Sequence, residues 1–294
     1  MKLIVNALII FFSLSSFSQS VETHVYAIKT IDSLKLDVYT PEKLSDSTKL
    51  PVVIWMHGGG FSGGSRDGVE EQQLMKYLTE NGFIGVSISY RLLRNGAITG
   101  FGCQCSKEEK LFTFAKAAED FLDATNYLIQ NSDSLHVNPK KIIAGGSSAG
   151  AEAVLSAVYM KDFFIEDTSD YENIKYAGLI SFAGAMVDEN YITKENAVPT
   201  VLFHGTNDNM VPYLKASHHL CNRNEIGYLI LNGSGVIVTR LEKINMPYYL
   251  FRVEGAQHEV SSINFKELDN IKQFINNTVL DSKVIQTKRL EFKR

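Results

Sequence analysis

The chain has 294 residues, of which 45% are hydrophobic and 21% charged, values that fit a globular protein with a sizeable core and exclude a disordered or collagen-like chain. Its 29 basic and 33 acidic side chains leave a formal charge of −4, with no basic field to gather a polyanion, so no nucleic acid partner is expected.

In chain order, MKLIVNALIIFFSLSSFSQS comes first, with one Lys, an apolar run from Leu3 to Phe12 and small residues up to Ser18. The run is too short to span a bilayer, and small residues fill the positions before Gln19. Residues 1–18 therefore read as a signal peptide, leaving 19–294 as an exported, periplasmic or secreted single domain with no stable membrane anchor. Beyond it, short runs rich in Val, Ile and Leu alternate with longer amphipathic stretches, the pattern of a parallel sheet with helices on both faces; the fold class is α/β. Strands are expected at Val21–Ile28, Leu34–Tyr39, Val52–Met56, Phe83–Ser89, Ile142–Gly145, Leu179–Phe182, Thr200–Phe203 and Tyr248–Val253. The first two have too short a connection for a parallel crossover and form an antiparallel hairpin. Helices are expected at Glu70–Asn81, Leu111–Asn131, Ser148–Met160, Tyr213–Cys221, Ser234–Ile244 and Asn264–Thr278. Between Arg91 and Lys110 neither period holds, so this stretch reads as a long loop, of a length usually functional or disordered. Residues 281–294 read as a basic, solvated C-terminal tail.

Three cysteines, Cys103, Cys105 and Cys221, in an exported chain permit a disulfide from Cys221 to either Cys103 or Cys105, which would join two distant loops. An odd count leaves at least one free or paired elsewhere. A metal reading of His218, His219 and Cys221 matches no familiar zinc spacing, and a helix face explains these residues more simply. No metal and no cofactor is expected.

The chemistry concentrates at four strand ends. Lys141–Gly150 (KIIAGGSSAG) is a buried strand, a G-x-S-x-G turn and the start of a helix. Gly146 and Gly150 flank Ser148 at two before and two after, where a sharp turn leaves no room for Cβ atoms, so Ser148 rather than Ser147 is the candidate nucleophile. Its place at a helix N-terminus favours developing negative charge, whereas an ordinary turn would use it as a helix cap. Trp55–Phe61 (WMHGGGF) follows a strand and offers backbone amides bare of side chains. The N–H groups of Gly58 and Gly59, with that of Ala149, are the expected oxyanion hole, and His57 organises the loop. The stretch lacks the Lys and Ser/Thr that a phosphate-binding loop needs. Asp208 follows the strand ending at Phe203, and His258 follows the last strand. The order nucleophile, acid, base is that of a Ser-His-Asp hydrolase, in which imidazole activates the hydroxyl and the carboxylate fixes the imidazole tautomer. Asp188 and Glu259 are the rival acids.

These motifs, HGGGF, SYRL at Ser89–Leu92, GGSSAG, HGTNDNMVPY and GAQHE, resemble the α/β-hydrolase superfamily over roughly Val21–Leu280. The combination is similar to secreted bacterial carboxylesterases of the hormone-sensitive-lipase-like, acetylxylan and feruloyl esterase group. The resemblance implies an eight-stranded, mostly parallel sheet, a metal-free Ser-His-Asp site and hydrolysis of carboxylic esters through an acyl-enzyme, with a small-molecule or carbohydrate ester as substrate. Ser147 and the Cys-x-Cys of the Arg91–Lys110 loop depart from the group's pattern, and they leave subgroup and substrate open. A serine peptidase of the same superfamily and a catalytically dead binding module are the alternatives.

Overall fold

Runs of aliphatic residues buried on both faces of a sheet organise the molecule. The computed structural model describes residues 19–30, 32–45 and 47–293, so the leader segment 1–18 lies outside the described residues. In chain order the elements are β1 (Gln19–Lys29), β2 (Asp32–Pro41), β3 (Leu50–Met56), α1 (Val69–Glu80), β4 (Ile84–Ile88), α2 (Lys107–Gln130), β5 (Val137–Ser147), α3 (Ala149–Tyr159) and α4 (Lys161–Phe164). There follow β6 (Gly178–Phe182), β7 (Ala185–Met186), β8 (Thr200–Gly205), β9 (Lys215–Ser217), β10 (Ile230–Gly233), α5 (Ser234–Lys243), β11 (Tyr248–Glu254), α6 (Leu268–Ile275) and β12 (Gln286–Phe292).

One sheet carries nine strands in the order β1-β2-β4-β3-β5-β6-β8-β11-β12. The hairpin β1–β2 is antiparallel and joins β4 antiparallel, while every later neighbour is parallel. Strands β4 and β6 have no exposed position, which is why they read as unbroken apolar runs rather than as alternation. Helices cover both faces. Phe114 and Phe121 of α2, Val154 of α3 and Ile237 of α5 pack into one core. On the other face Leu74 and Met75 of α1 meet Ile271 and Phe274 of α6. No helix among the described residues is long and apolar enough to cross a membrane.

Four expectations need correction. The sheet has a ninth strand because the C-terminal stretch, expected as a solvated tail, pairs its backbone with β11 from Gln286 to Phe292 while its side chains stay largely in water. Tyr213–Cys221 is not a helix: β9 pairs with β10, and His219 and Leu220 then take left-handed φ of 57° and 53°, which no α-helix holds. The last helix is shorter than Asn264–Thr278, opening from a 3₁₀ turn and ending in a π turn over Asn276–Leu280. Helix α2 starts four residues early, at Lys107. Ser106 Oγ accepts from Glu109 N at 3.2 Å and Ser106 N donates to Glu109 Oε2 at 3.1 Å, a reciprocal cap that S-K-E-E already spells.

Candidate active site

Four loops leave the C-terminal ends of parallel strands β3, β5, β8 and β11 and meet over one sheet edge, where open α/β sheets place their ligand crevices. The turn after β5 is the tightest. Ser148 holds φ 50° and ψ −122°, a conformation that costs energy for any residue with a Cβ and that lifts the side chain clear of the sheet. The flanking glycines are steric necessities. A Cβ on Gly146 would lie 2.6 Å from the Gly150 carbonyl carbon, and one on Gly150 would lie 2.1 Å from the Met56 carbonyl oxygen. The start of α3 is thereby pressed against the end of β3, which carries the next loop.

The candidate nucleophile, base and acid form one hydrogen-bonded chain. Ser148 Oγ lies 2.7 Å from His258 Nε2, and His258 Nδ1 lies 2.7 Å from Asp208 Oδ2. Asp208 is 6% exposed, and its other oxygen accepts from the N–H groups of Met210 at 2.9 Å and Val211 at 3.0 Å. Burial alone would raise its pKa, but the bonds and charges of His204 and His258 outweigh that and hold the carboxyl well below its ordinary range. His204, whose Nε2 stands 3.0 Å from the Val211 carbonyl and 3.5 Å from Asp208 Oδ2, closes the back of this arrangement. The rival acids are elsewhere. Asp188 caps the turn at Asn190, and Glu259 pairs with Lys293.

The loop after β3 brings bare amides beside the serine. A Cβ on Gly58 would sit 3.3 Å from Ser148 Cβ, so this glycine lies against the nucleophile candidate. Gly59 takes φ 115°, and a Cβ there would meet the Gly63 carbonyl oxygen at 2.2 Å; only glycine fits. Among the described residues the N–H groups of Gly58, Gly59 and Ala149 donate to no protein acceptor. His57 faces its own loop: Nδ1 lies 2.7 Å from the Gly58 carbonyl oxygen, and the ring lies tilted by 34° with its centre 4.6 Å from that of Tyr90, whose hydroxyl donates to the His57 carbonyl at 3.1 Å.

These loops open onto a cleft of about 650 Å³, with Ser148, His258 and Gly58–Gly60 on its walls. Phe101 and His219 complete it, from two segments joined by a Cys103–Cys221 disulfide. Cys105 is the buried free thiol. With its sulfur bonded to Cys103, Cys221 has no thiolate to offer the metal reading of His218, His219 and Cys221.

Two cleft residues were not expected there: Glu152 was read only as part of a helix, and His218 only as a helix-face residue once the metal reading was set aside. Glu152 lies one helical turn beyond Ser148, and His218 precedes the disulfide; both line the cleft and are buried, at 2% and 0% exposure. The sequence held a signal for the first, a lone acid four residues after Ser148 in an otherwise Ala-, Val- and Leu-rich helix.

Comparison with known proteins bears on the fold and the family. Among curated proteins, Esterase B1 of Culex pipiens is 32% identical over 123 residues, 42% of this chain and 21% of that protein; Liver carboxylesterase 1 of Mus musculus is 31% identical over 123 residues, 42% and 20% respectively. The matched stretch thus spans about a fifth of these relatives' length. Among solved structures, a thermophilic esterase from the planctomycete Thermogutta terrifontis superposes with a TM-score of 0.64 at 20% identity, covering 87% of this chain and 92% of that one. The same esterase phosphoramylated by tabun gives 0.65 at 19%, covering 91% and 97%. At these identities the likeness is one of fold, the α/β-hydrolase fold. The BD-FAE family profile matches residues 36–189, a span that contains the glycine loop after β3 and the Ser148 turn and exceeds half the chain, so the chain belongs to the BD-FAE family of α/β-hydrolases.

Proposed function

We propose that this protein is a serine carboxylic-ester hydrolase and that Ser148, His258 and Asp208 are its catalytic triad. One observation carries the reading: an unbroken hydrogen-bonded run from Ser148 Oγ through His258 to a buried Asp208, beside amides that have no other acceptor. In the proposed reaction His258 Nε2 takes the hydroxyl proton as Ser148 Oγ attacks the ester carbonyl. Asp208 keeps the other ring nitrogen protonated and offsets the imidazolium charge. The oxyanion is received by the N–H groups of Gly58, Gly59 and Ala149, where each donor is worth roughly 3 to 4 kcal/mol at the transition state. His258 passes the proton to the leaving alcohol, then activates water to release the acid and restore Ser148. The esterase and carboxylesterase names of the similar proteins support the same chemistry.

The same proposal places the mature chain, residues 19–294, outside the cytoplasm as one catalytic domain. The leader composition and the Cys103–Cys221 disulfide support an oxidising compartment. Purified protein is expected to hydrolyse p-nitrophenyl acetate and to be labelled at Ser148 by a fluorophosphonate. Ser148→Ala is expected to lose both while keeping the circular dichroism of the parent. Labelling at another residue, or activity retained in Ser148→Ala, would overturn the assignment, and a folded chain that neither turns over nor labels would point to a binding module.

A further inference from the structure

We infer that Glu152 and His218 form a second recognition point in the cleft, a subsite that takes a neutral hydroxyl group carried by the substrate. The inference rests on the hydrolase reading and adds to it a substrate feature and two specificity-determining residues. His218 has both ring nitrogens buried and neither has a hydrogen-bond partner, and Glu152 Oε1 is in the same condition. The two side chains face one another with His218 Nε2 3.5 Å from Oε1, out of line for a hydrogen bond, and both line the cleft that Ser148 opens into. Buried polar atoms are paired almost without exception, and leaving one unpaired is costly. Two such side chains at one spot, on a cleft wall rather than in a sealed core, mark a place where an arriving group completes the bonding.

The donor and acceptor inventory selects the kind of group. Burial, with the Asp208 charge adding to it, pushes the Glu152 carboxyl well above its ordinary range despite Lys110, which favours the protonated acid, a group with one O–H to donate and a carbonyl oxygen to accept. Burial likewise pulls His218 well below its usual value, and the charges of His219, Lys110 and His258 act in the same direction against that of Asp208; this favours the neutral ring, with one donor and one acceptor nitrogen. A hydroxyl, which gives one hydrogen bond and receives another, complements such a pair. An alkyl group in its place leaves buried polar atoms unpaired, and discrimination of this kind is steep. The surroundings hold the pair in place. Phe101 and Phe114 pack edge-on against the His218 ring at 5.3 and 6.1 Å, and His218 N donates to the Leu229 carbonyl at 2.8 Å.

The hydroxyl could sit on the acyl or the alcohol side, and two ester pairs, each exchanging OH for CH₃, separate these sources. One pair is p-nitrophenyl 3-hydroxybutyrate against p-nitrophenyl 3-methylbutyrate; the other is 2-hydroxyethyl acetate against propyl acetate. With the disulfide-intact protein, kcat/KM for the hydroxyl ester is expected to exceed that of its partner by about tenfold or more in one pair. Glu152→Leu and His218→Phe should bring that ratio towards one, whereas Glu152→Gln, which keeps both hydrogen-bonding functions, should retain most of it. General damage to the site lowers both esters of a pair and leaves the ratio where it was. If either apolar variant does not fold, Glu152→Ala and His218→Ala give the same readout by only removing atoms. A parent ratio near one in both pairs, or a ratio unmoved by removing either side chain, overturns the subsite. Absence of turnover on all four esters together with absence of Ser148 labelling overturns instead the hydrolase reading on which it rests.

Discussion

Asp208 does two jobs with its two oxygens. Oδ1 is bound by the backbone at Met210 and Val211, which fixes the side chain, and Oδ2 then meets His258 Nδ1 at 2.7 Å. Asp208→Asn keeps the shape but can present an N–H to the ring, which favours the wrong imidazole tautomer; kcat is expected to fall by about 10⁴-fold, measured on p-nitrophenyl acetate. The same residue has a pH signature in stability. Its folded-state pKa lies below the unfolded value of about 3.9, so its contribution is fully present above that pH and is lost as pH falls towards the folded-state value. The stability advantage of the parent over Asp208→Asn, from urea midpoints, should therefore be larger at pH 6 than at pH 3. An advantage that grows on acidification would show that the carboxyl is not held ionised. Asp208, His258 and Ser148 were all legible as residues, because each stands a few positions beyond an apolar strand and a glycine turn leaves few alternatives. Glu152 and His218 were not legible as a pair: Glu152 read as one residue of a helix and His218 as a residue of a helix face, and only the fold sets them 3.5 Å apart.

Strand β12 closes one edge of the sheet with little apolar burial of its own, and it is held by backbone pairing and a few charged contacts. Lys288 Nζ lies 2.7 Å from Glu242, Arg289 Nη1 lies 2.8 Å from Glu267, and the Arg289 guanidinium stands 5.4 Å from the Phe251 ring. Removing it uncovers the backbone of β11, whose residues Tyr248–Phe251 are buried, and an uncovered apolar edge is a template for pairing with other chains. A chain ending at residue 284 is expected to melt lower and to aggregate on warming, read by light scattering alongside thermal unfolding; unchanged scattering would show that β11 needs no cover. The charged, alternating character of QTKRLEF hides such a strand from a hydrophobic reading, because its stabilisation comes from the ladder and not from side-chain burial. The expectation of a helix over Tyr213–Cys221 failed for a related reason. Its mix of polar and apolar residues suits a helix face, but three residues of it pair with β10, a partner fixed by tertiary context. Strands β3, β4 and β6, by contrast, are apolar along almost their whole length, as is β5 from Ile142 to Gly146, and that is the part of each the pattern made legible.

Over the molecule as a whole, four strand ends converge, and two distant segments complete the cleft. The disulfide joins those two, Cys103 from the loop after β4 and Cys221 from the turn after β9, across a sequence separation of 118 residues. Closing so long a loop stabilises by about 2 to 5 kcal/mol. Cys103→Ser is expected to lower the urea midpoint accordingly, and denatured, unreduced parent protein should titrate one thiol, that of Cys105; a count of three would disprove the bridge. The covalent ring formed by this bond encloses Ser148 and Asp208 and leaves the His57–Gly60 loop and His258 outside, on the two free arms of the chain. A protease that cuts the backbone anywhere between Cys103 and Cys221 therefore cannot separate the two ends of the site. On a denaturing gel the nicked protein would still run as one band until reductant divides it, whereas a cut between Gly60 and Cys103 frees the piece that carries the His57–Gly60 loop, and one between Cys221 and His258 frees the piece that carries His258.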